Sequence, residues 1–401
     1  MNYDVLIAGG GPAGCRAAGL IAGSGYKVMV AEEHRDIGEP LQCAGLVSPR
    51  TLKTAGISRD IVLNEVHGAF IHSPGGEKLA FRGKKSYALV IDRAAFDRGL
   101  AEKARGSGAE IITGVRLDVR GCGPEKVHVV LKSRKKEISA AARLLIGADG
   151  ANSQAARFIG ASRSSEVIRM YAVEVEMKCH DKDMVHIFLG RNTAPGWFGW
   201  VIPVGSGHAR AGIGVSGSDS HPACYFKKMV DSYPGIFNGM KVVRHTGGAV
   251  PIGIPPRIYG DKIMLVGDAA CQTKPISGGG LFLGLLGAEL CSQVASKALS
   301  RESFSMEDLS EYQRLWEKKM GKEIKNALWH RNIFLSMTDH EMDTVIRFLS
   351  RPFWQYTIAT HGDIDYPSWL SGRLSFAGPW MEKFVRARFR KVLNYALPVE
   401  F

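Results

Sequence analysis

Gly9, Gly11 and Gly14 follow an apolar, strand-like run over residues 3–8 and open a helical one, giving G-x-G-x-x-G. Each glycine has a physical task there. The first permits a tight strand-to-helix turn, the second lets the backbone approach a pyrophosphate, and the third lets helix and strand pack closely. The helix N-terminus then faces the phosphate charge. Glu32 closes the next apolar run, residues 27–31, at the spacing at which an acid accepts hydrogen bonds from a ribose. A complete strand–helix–strand frame with its acid predicts a bound dinucleotide rather than a glycine-rich structural turn.

Two later segments narrow the choice. Residues 263–266 read as a buried strand running into Gly267-Asp268-Ala269-Ala270, then Pro275, Gly278, Gly279 and Gly280, then a helical run over residues 281–299. Residues 144–150, Leu-Leu-Ile-Gly-Ala-Asp-Gly, carry Asp149, with Ser153 and Arg157 beyond. A nicotinamide dehydrogenase needs neither piece. Over about residues 1–300 the three-part set resembles the FAD-binding elements of the para-hydroxybenzoate hydroxylase-like flavoproteins. This implies an α/β chain: a Rossmann-like FAD-binding domain (1–65, 88–160 and 250–300) with an inserted antiparallel β-sheet substrate domain (66–87 and 161–249) and a helical C-terminal region (301–401). The strand-like runs 167–178, 184–189, 199–204 and 209–215 form that insert, and 306–326 and 339–349 are predicted helical.

A second resemblance is finer. Residues 38–48 contain Pro40-Leu41-Gln42-Cys43-Ala44, and residues 195–203 read Pro-Gly-Trp-Phe-Gly-Trp-Val-Ile-Pro. Pro275-Ile276-Ser277-Gly278-Gly279-Gly280 is the third element. These are similar to the Pro-x-x-Cys-(Gly/Ala), Pro-x-x-Tyr-x-Trp-x-Phe-Pro and Pro-x-x-Gly-Gly-Gly signatures of the geranylgeranyl reductase family, including archaeal digeranylgeranylglycerophospholipid reductases. Phe198 stands where the family has Tyr, and Ile202 where it has Phe.

The resemblance implies cofactor contacts at Gly9, Gly11, Ala13, Gly14, Glu32, Cys43, Ala44, Arg93, Asp149, Asp268, Gly279, Gly280 and Leu281. It implies substrate contacts at Trp197, Phe198 and Trp200, and catalytic roles at Cys43 and Trp200. Each residue has a plainer reading. Arg93 at a helix start also suits an i,i+4 pair with Asp97. Cys43 also suits a small buried filler, and tryptophans in a sheet are commonly core.

The implied reaction saturates trisubstituted isoprenoid double bonds. An unconjugated alkene has no electron sink, so the route is protonation to a tertiary cation and hydride delivery from reduced flavin. Aromatic faces stabilise the cation. The proton donor stays open between the Cys43 thiol, an ordered water and a protonated flavin group. The electron donor stays open between NADPH, a deazaflavin and ferredoxin. Two other activities fit the fold: a flavin-dependent monooxygenase, and a flavin electron carrier or binding protein.

The formal net charge of +13 suits an anionic partner, but no nucleic-acid motif accompanies it. Basic and aromatic residues mix at 380–391, around Arg386, Arg388 and Arg390. That segment reads either as a helix packed on the body or as one lying in a membrane interface. No apolar run reaches the ~20 residues that span a bilayer. The chain enters a strand at once, so no signal peptide is expected. Its 7 scattered cysteines favour a reducing cytoplasm, with peripheral membrane contact the variant, and suggest no metal.

Overall fold

The computed structural model describes residues 2–134, 136–161 and 166–367. The strand Asn2–Ala8 pairs in parallel with Val28–Glu32 on one side and with Glu137–Gly147 on the other. Glu110–Thr113 and Ile263–Leu265 extend this parallel sheet outward. Val5, Leu6 and Ile7 are fully buried because helices cover both faces of such a sheet. The helix Pro12–Ala22 packs against Arg93–Gly106 and the long helix Leu281–Arg301. A hairpin of Arg116–Cys122 and Val127–Lys132 pairs onto the outer half of Glu137–Gly147, which therefore serves an antiparallel and a parallel neighbour in one strand.

A second sheet of seven strands runs in the order Lys241–Ile252, Glu166–Glu176, His208–Val215, Gly199–Gly205, Met184–Phe188, Gly68–His72, Lys78–Arg82. It is antiparallel apart from one pair, Met184–Phe188 with Gly68–His72. Those two strands come from separate stretches of chain, so no hairpin dictates their direction. Leu46–Val47, Ala88–Ile91 and Val62–Val66 form a small third sheet.

The longer part of the expected insert, 161–249, is not all strand. Pro222–Ser232 and Pro234–Phe237 are helices, the first opening with His221 as cap and Pro at its first position. They cover one face of the second sheet, where Phe226, Met229 and Phe237 pack on Val173, Val201, Ala211 and Ile213. An antiparallel sheet with that face bare would expose those side chains to water, which is why the insert needs helices. Beyond residue 301 the chain forms Met306–Trp316, a π-helical turn Glu317–Gly321, Lys322–Ser336, Asp339–Leu349 and Pro352–His361. The basic segment 383–391 lies outside the described residues. Among the described residues, no helix is long and apolar enough to cross a membrane.

Candidate active site

A cavity of about 800 Å³ opens between the C-terminal ends of the parallel strands and the second sheet. That is within the range of about 300–1,000 Å³ usual for ligand pockets. Its floor is the glycine turn. Gly9 has φ +101°, and a Cβ there would stand 2.3 Å from the Ala148 carbonyl oxygen. A Cβ on Gly14 would stand 2.1 Å from the Gly9 oxygen, so the close helix–strand contact excludes any side chain. A Cβ on Gly11 would meet nothing within 4 Å. Gly11 faces open cavity at the N-terminus of Pro12–Ala22, which has no side-chain cap. The free amides of that first turn are left for an anion.

Glu32 ends its strand at the cavity wall. One carboxylate oxygen accepts from Gly10 N at 2.7 Å and the other from His34 N at 2.9 Å. Both acceptors keep lone pairs for further donors. The acid thus braces the glycine turn as well as facing the cavity.

Asp268 faces the cavity from the second glycine-rich turn. Burial pushes its carboxyl up to about 6, against the opposing pull of Arg93. No hydrogen bond from the described residues reaches that carboxylate. A partly buried acid that faces the cavity without a donor fits the ribityl hydroxyls of a flavin nucleotide. Beside it, the helix Leu281–Arg301 begins at Gly280 with no side-chain cap, so its positive end also opens on the cavity. Two uncapped helix starts, an open glycine and a donor-starved acid fit FAD.

Arg93 makes the Asp97 pair of its plainer reading and also borders the cavity. The ion pair is forked, Nε–Oδ1 3.1 Å and Nη2–Oδ2 2.9 Å. Burial disfavours the guanidinium charge, but Asp97 and a hydrogen bond to Cys43 outweigh it and hold the group above its ordinary value. Cys43 lines the same wall, and its sulfur accepts from Gly45 N at 3.3 Å.

The opposite wall is one face of the second sheet. Successive rows in register are Trp200, Gly212, Ala172 and Thr246, then Ile202, Arg210, Glu174 and Arg244. Met170 and Gly248, in the row that continues this face, line the cavity. Trp197 and Trp200 do not line it: they are 1% and 7% exposed. Each indole lies where a side chain at a facing glycine would stand, Trp197 at Gly214 and Trp200 at Gly212. Phe198, half-buried, stacks on Trp197 at 5.1 Å and meets Trp200 edge-on at 6.2 Å. Both indole Nε1 atoms are buried without a partner. The aromatic cluster backs the wall: Trp197 and Met170 both reach Gly278.

The predicted residues Gly9, Gly11, Ala13, Glu32, Cys43, Arg93, Asp149, Asp268, Gly280 and Leu281 converge on the cavity. Gly14 lies beneath its floor, Gly279 beside Lys274, and Ala44 behind Cys43. The Asp149 carboxylate caps a short helix, accepting from Ser153 Oγ, Gln154 N and Ala155 N. The Asp97 pairing matches the i,i+4 spacing, whereas Arg210, Lys274 and Arg331 are not among the residues expected at the site. Arg210 carried a readable signal, a lone charge in the strand His-Ala-Arg-Ala-Gly-Ile-Gly-Val. Arg331 carried none. It is 4% exposed, forks onto Glu166, donates to Gly196 O at 2.9 Å, and sits 4.6 Å from the Trp197 ring centre.

Residues 2–223 match the family described as FAD binding domain. Digeranylgeranylglycerophospholipid reductase 2 of Methanopyrus kandleri is 32% identical, covering 88% of this chain and 91% of its own. Digeranylgeranylglycerophospholipid reductase of Methanosarcina acetivorans is 31% identical, covering 86% and 87%. Among solved structures, a geranylgeranyl bacteriochlorophyll reductase-like protein from Thermoplasma acidophilum superposes with a TM-score of 0.81. It is 24% identical and covers 93% of this chain and 98% of its own. The cofactor is FAD and the protein a FAD-dependent oxidoreductase. With its glycine turn, its Cys43 loop and its Gly278–Gly280 loop on one cavity, the chain belongs to the geranylgeranyl reductase family of FAD-binding proteins.

Proposed function

We propose that this flavin-dependent reductase saturates isoprenoid double bonds of archaeal-type membrane lipid precursors. The observation that carries the reading is the pairing of two unlike walls around one cavity. One wall holds Arg93, Asp268 and Cys43. The other is the sheet face of Met170, Gly248 and Val250, with Phe198, Trp197 and Trp200 packed beside them. The first wall is chemistry for a cofactor, and the second offers apolar side chains, Met170 and Val250, to a hydrocarbon. The names of the relatives support the lipid class.

In this reading Glu32, Gly11 and Asp268 hold the nucleotide and its polyol, and the start of Leu281–Arg301 stabilises negative charge. FAD, once reduced, supplies the hydride. With a proton supplied to one alkene carbon and that hydride to the other, each bond would gain H2. Cys43 is one source of that proton. Phe198 replaces the Tyr of the family signature and offers no hydroxyl, so any acid at this wall comes from elsewhere. Electrons arrive from a separate redox donor, and the +13 charge complements an acidic one.

The test is anaerobic. Enzyme reduced by dithionite is mixed with a digeranylgeranyl lipid, flavin reoxidation is followed by absorbance, and the product is weighed by mass spectrometry. Reoxidation with a gain of H2 per bond supports the proposal. Reoxidation only on admitting oxygen, with a hydroxylated product, assigns the chain as a monooxygenase instead. Trp200→Ala separates the aromatic roles: slowed reoxidation by lipid with unchanged reduction gives the indole a part in the lipid pocket.

A further inference from the structure

We propose that Arg210, a residue of the second sheet, is the positioning residue that sets the Cys43 loop. The inference rests on the reading that Cys43 and Arg93 stand beside the flavin. Arg210 is 7% exposed and lies on the cavity-side face of its strand. Its Nη1 donates to two main-chain carbonyls, Ala44 O at 2.9 Å and Ile91 O at 3.0 Å. Ala44 directly follows Cys43. Ile91 ends the strand that leads, through Asp92, into Arg93. One guanidinium therefore ties together the two segments that present Cys43 and Arg93.

The tie is built from both sides. On the sheet, Arg210 Nε donates to Glu174 Oε1 at 3.2 Å, and Arg244 Nε and Nη2 hold Glu174 Oε2 at 3.2 and 2.9 Å. On the loop, Gly45 has φ +67°, and a Cβ there would stand 2.3 Å from Arg210 Nη1. The glycine leaves the space that the guanidinium fills. Ile91 N donates to Gly45 O at 2.9 Å, which closes the link between the two segments. The Thr246 hydroxyl donates to Leu41 O, a second bond from the same sheet face to the same loop. A lysine has no planar fork with which to serve Glu174 and two carbonyls together. Without the guanidinium, the buried Ile91 carbonyl and the part-buried Ala44 carbonyl lose this donor, which favours local opening of the loop.

The test uses full-length Arg210→Met and Arg210→Lys beside the wild type, each with and without FAD. Alkylation of Cys43 by iodoacetamide is followed peptide by peptide, with exposed Cys122 and Cys224 as internal standards. In the flavin-free proteins, Arg210→Met labels Cys43 roughly tenfold faster, and Arg210→Lys at an intermediate rate, while the standards stay constant. With FAD bound, the visible spectrum shifts in both variants. Wild-type Cys43 rates with an unshifted spectrum in the folded variants overturn the proposal and leave Arg210 as a simple tie between sheets. If Arg210→Met does not fold, Arg210→Lys decides alone, on the same two readouts. Protection of wild-type Cys43 by FAD is the separate check. Its failure removes the flavin-side reading of the loop but leaves the flavin-free result on Arg210 intact.

Discussion

Lys274 Nζ and Asp365 Oδ1 form an ion pair of 2.7 Å in which the lysine is 8% and the aspartate 0% exposed. Lys274 precedes the Gly278–Gly280 loop and also donates to Ile364 O. Arg50 reaches the other Asp365 oxygen at 3.3 Å and forks onto Asp363. A segment far along the chain is thereby locked beside the Gly278–Gly280 loop of the cavity. Asp365→Ala leaves a buried ammonium without its counter-charge and lowers stability by about 3–5 kcal/mol. Asp365→Ala with Lys274→Met recovers much of that loss, because the stranded charge is gone. Urea midpoints of the three proteins check this.

Glu32→Ala weakens FAD binding by about 1.5–3 kcal/mol, the usual worth of hydrogen bonds to a charged group. Part of the loss comes from the glycine turn, because Gly10 N loses its acceptor. Titration of the flavin-free protein with FAD measures it. Equal affinity in the variant refutes the role of the acid.

Asp268 makes FAD binding depend on pH. Its folded carboxyl titrates near 6, above the ordinary carboxylate value. In the flavin-free protein the neutral acid is therefore the majority form only below about pH 6, and holding the ionised form above that pH costs stability. The stability tied to it is present at low pH and is lost as pH rises through about 6. Hydroxyl donors of a bound flavin favour the ionised form, so FAD affinity rises as pH passes upward through that range. Asp268→Asn flattens the pH profile of FAD affinity and weakens binding at neutral pH. It also stabilises the flavin-free protein at pH 7, by on the order of 2 kcal/mol. FAD titrations and melting curves at three pH values test both signs.

His72 and His186 work in the opposite direction. Nε2 and Nδ1 lie 3.0 Å apart on the neighbouring parallel strands, and burial lowers both rings to about 4. A folded value below the unfolded ~6.5 means stability that is complete above that pH and lost as pH falls toward 4. Replacing the pair by Phe and Leu reduces the acid sensitivity. Comparing urea midpoints at pH 7 and pH 5 in wild type and double variant measures this.

The nucleotide end of the site was legible because its demands are local. Gly9 needs a backbone that only glycine adopts comfortably, Gly14 needs the absence of a Cβ, and Glu32 follows at a spacing set by one strand–helix–strand unit. The Asp268 turn repeats that grammar. The helices at 222–237 were not read, although Pro222 marks the start of one. The segment is amphipathic, with Phe226 and Met229 buried and Lys227, Lys228 and Asp231 exposed, but it is short and lies between strands, and the bare face of the sheet is what calls for a helix.

The sheet wall was legible in composition but not in placement. Trp197, Phe198 and Trp200 were picked out as pocket residues. The register instead packs the two indoles over Gly214 and Gly212, buried beside the lining residues and outside the cavity. Asp149 was read as a cofactor contact, and its carboxylate is spent on a helix cap while the residue still borders the cavity.

By itself the sequence determined the parallel nucleotide fold, the cofactor class and the loops that meet at it, because short-range backbone geometry writes glycine, proline and acid at set spacings. The tertiary structure alone decided the partners: Arg210 on Ala44 and Ile91, Arg331 on Trp197, Lys274 on Asp365. Those pairs join residues tens to hundreds of positions apart. Whether two such side chains meet depends on strand register, on which face each residue takes and on how the two sheets stack, and none of these leaves a local pattern in the chain.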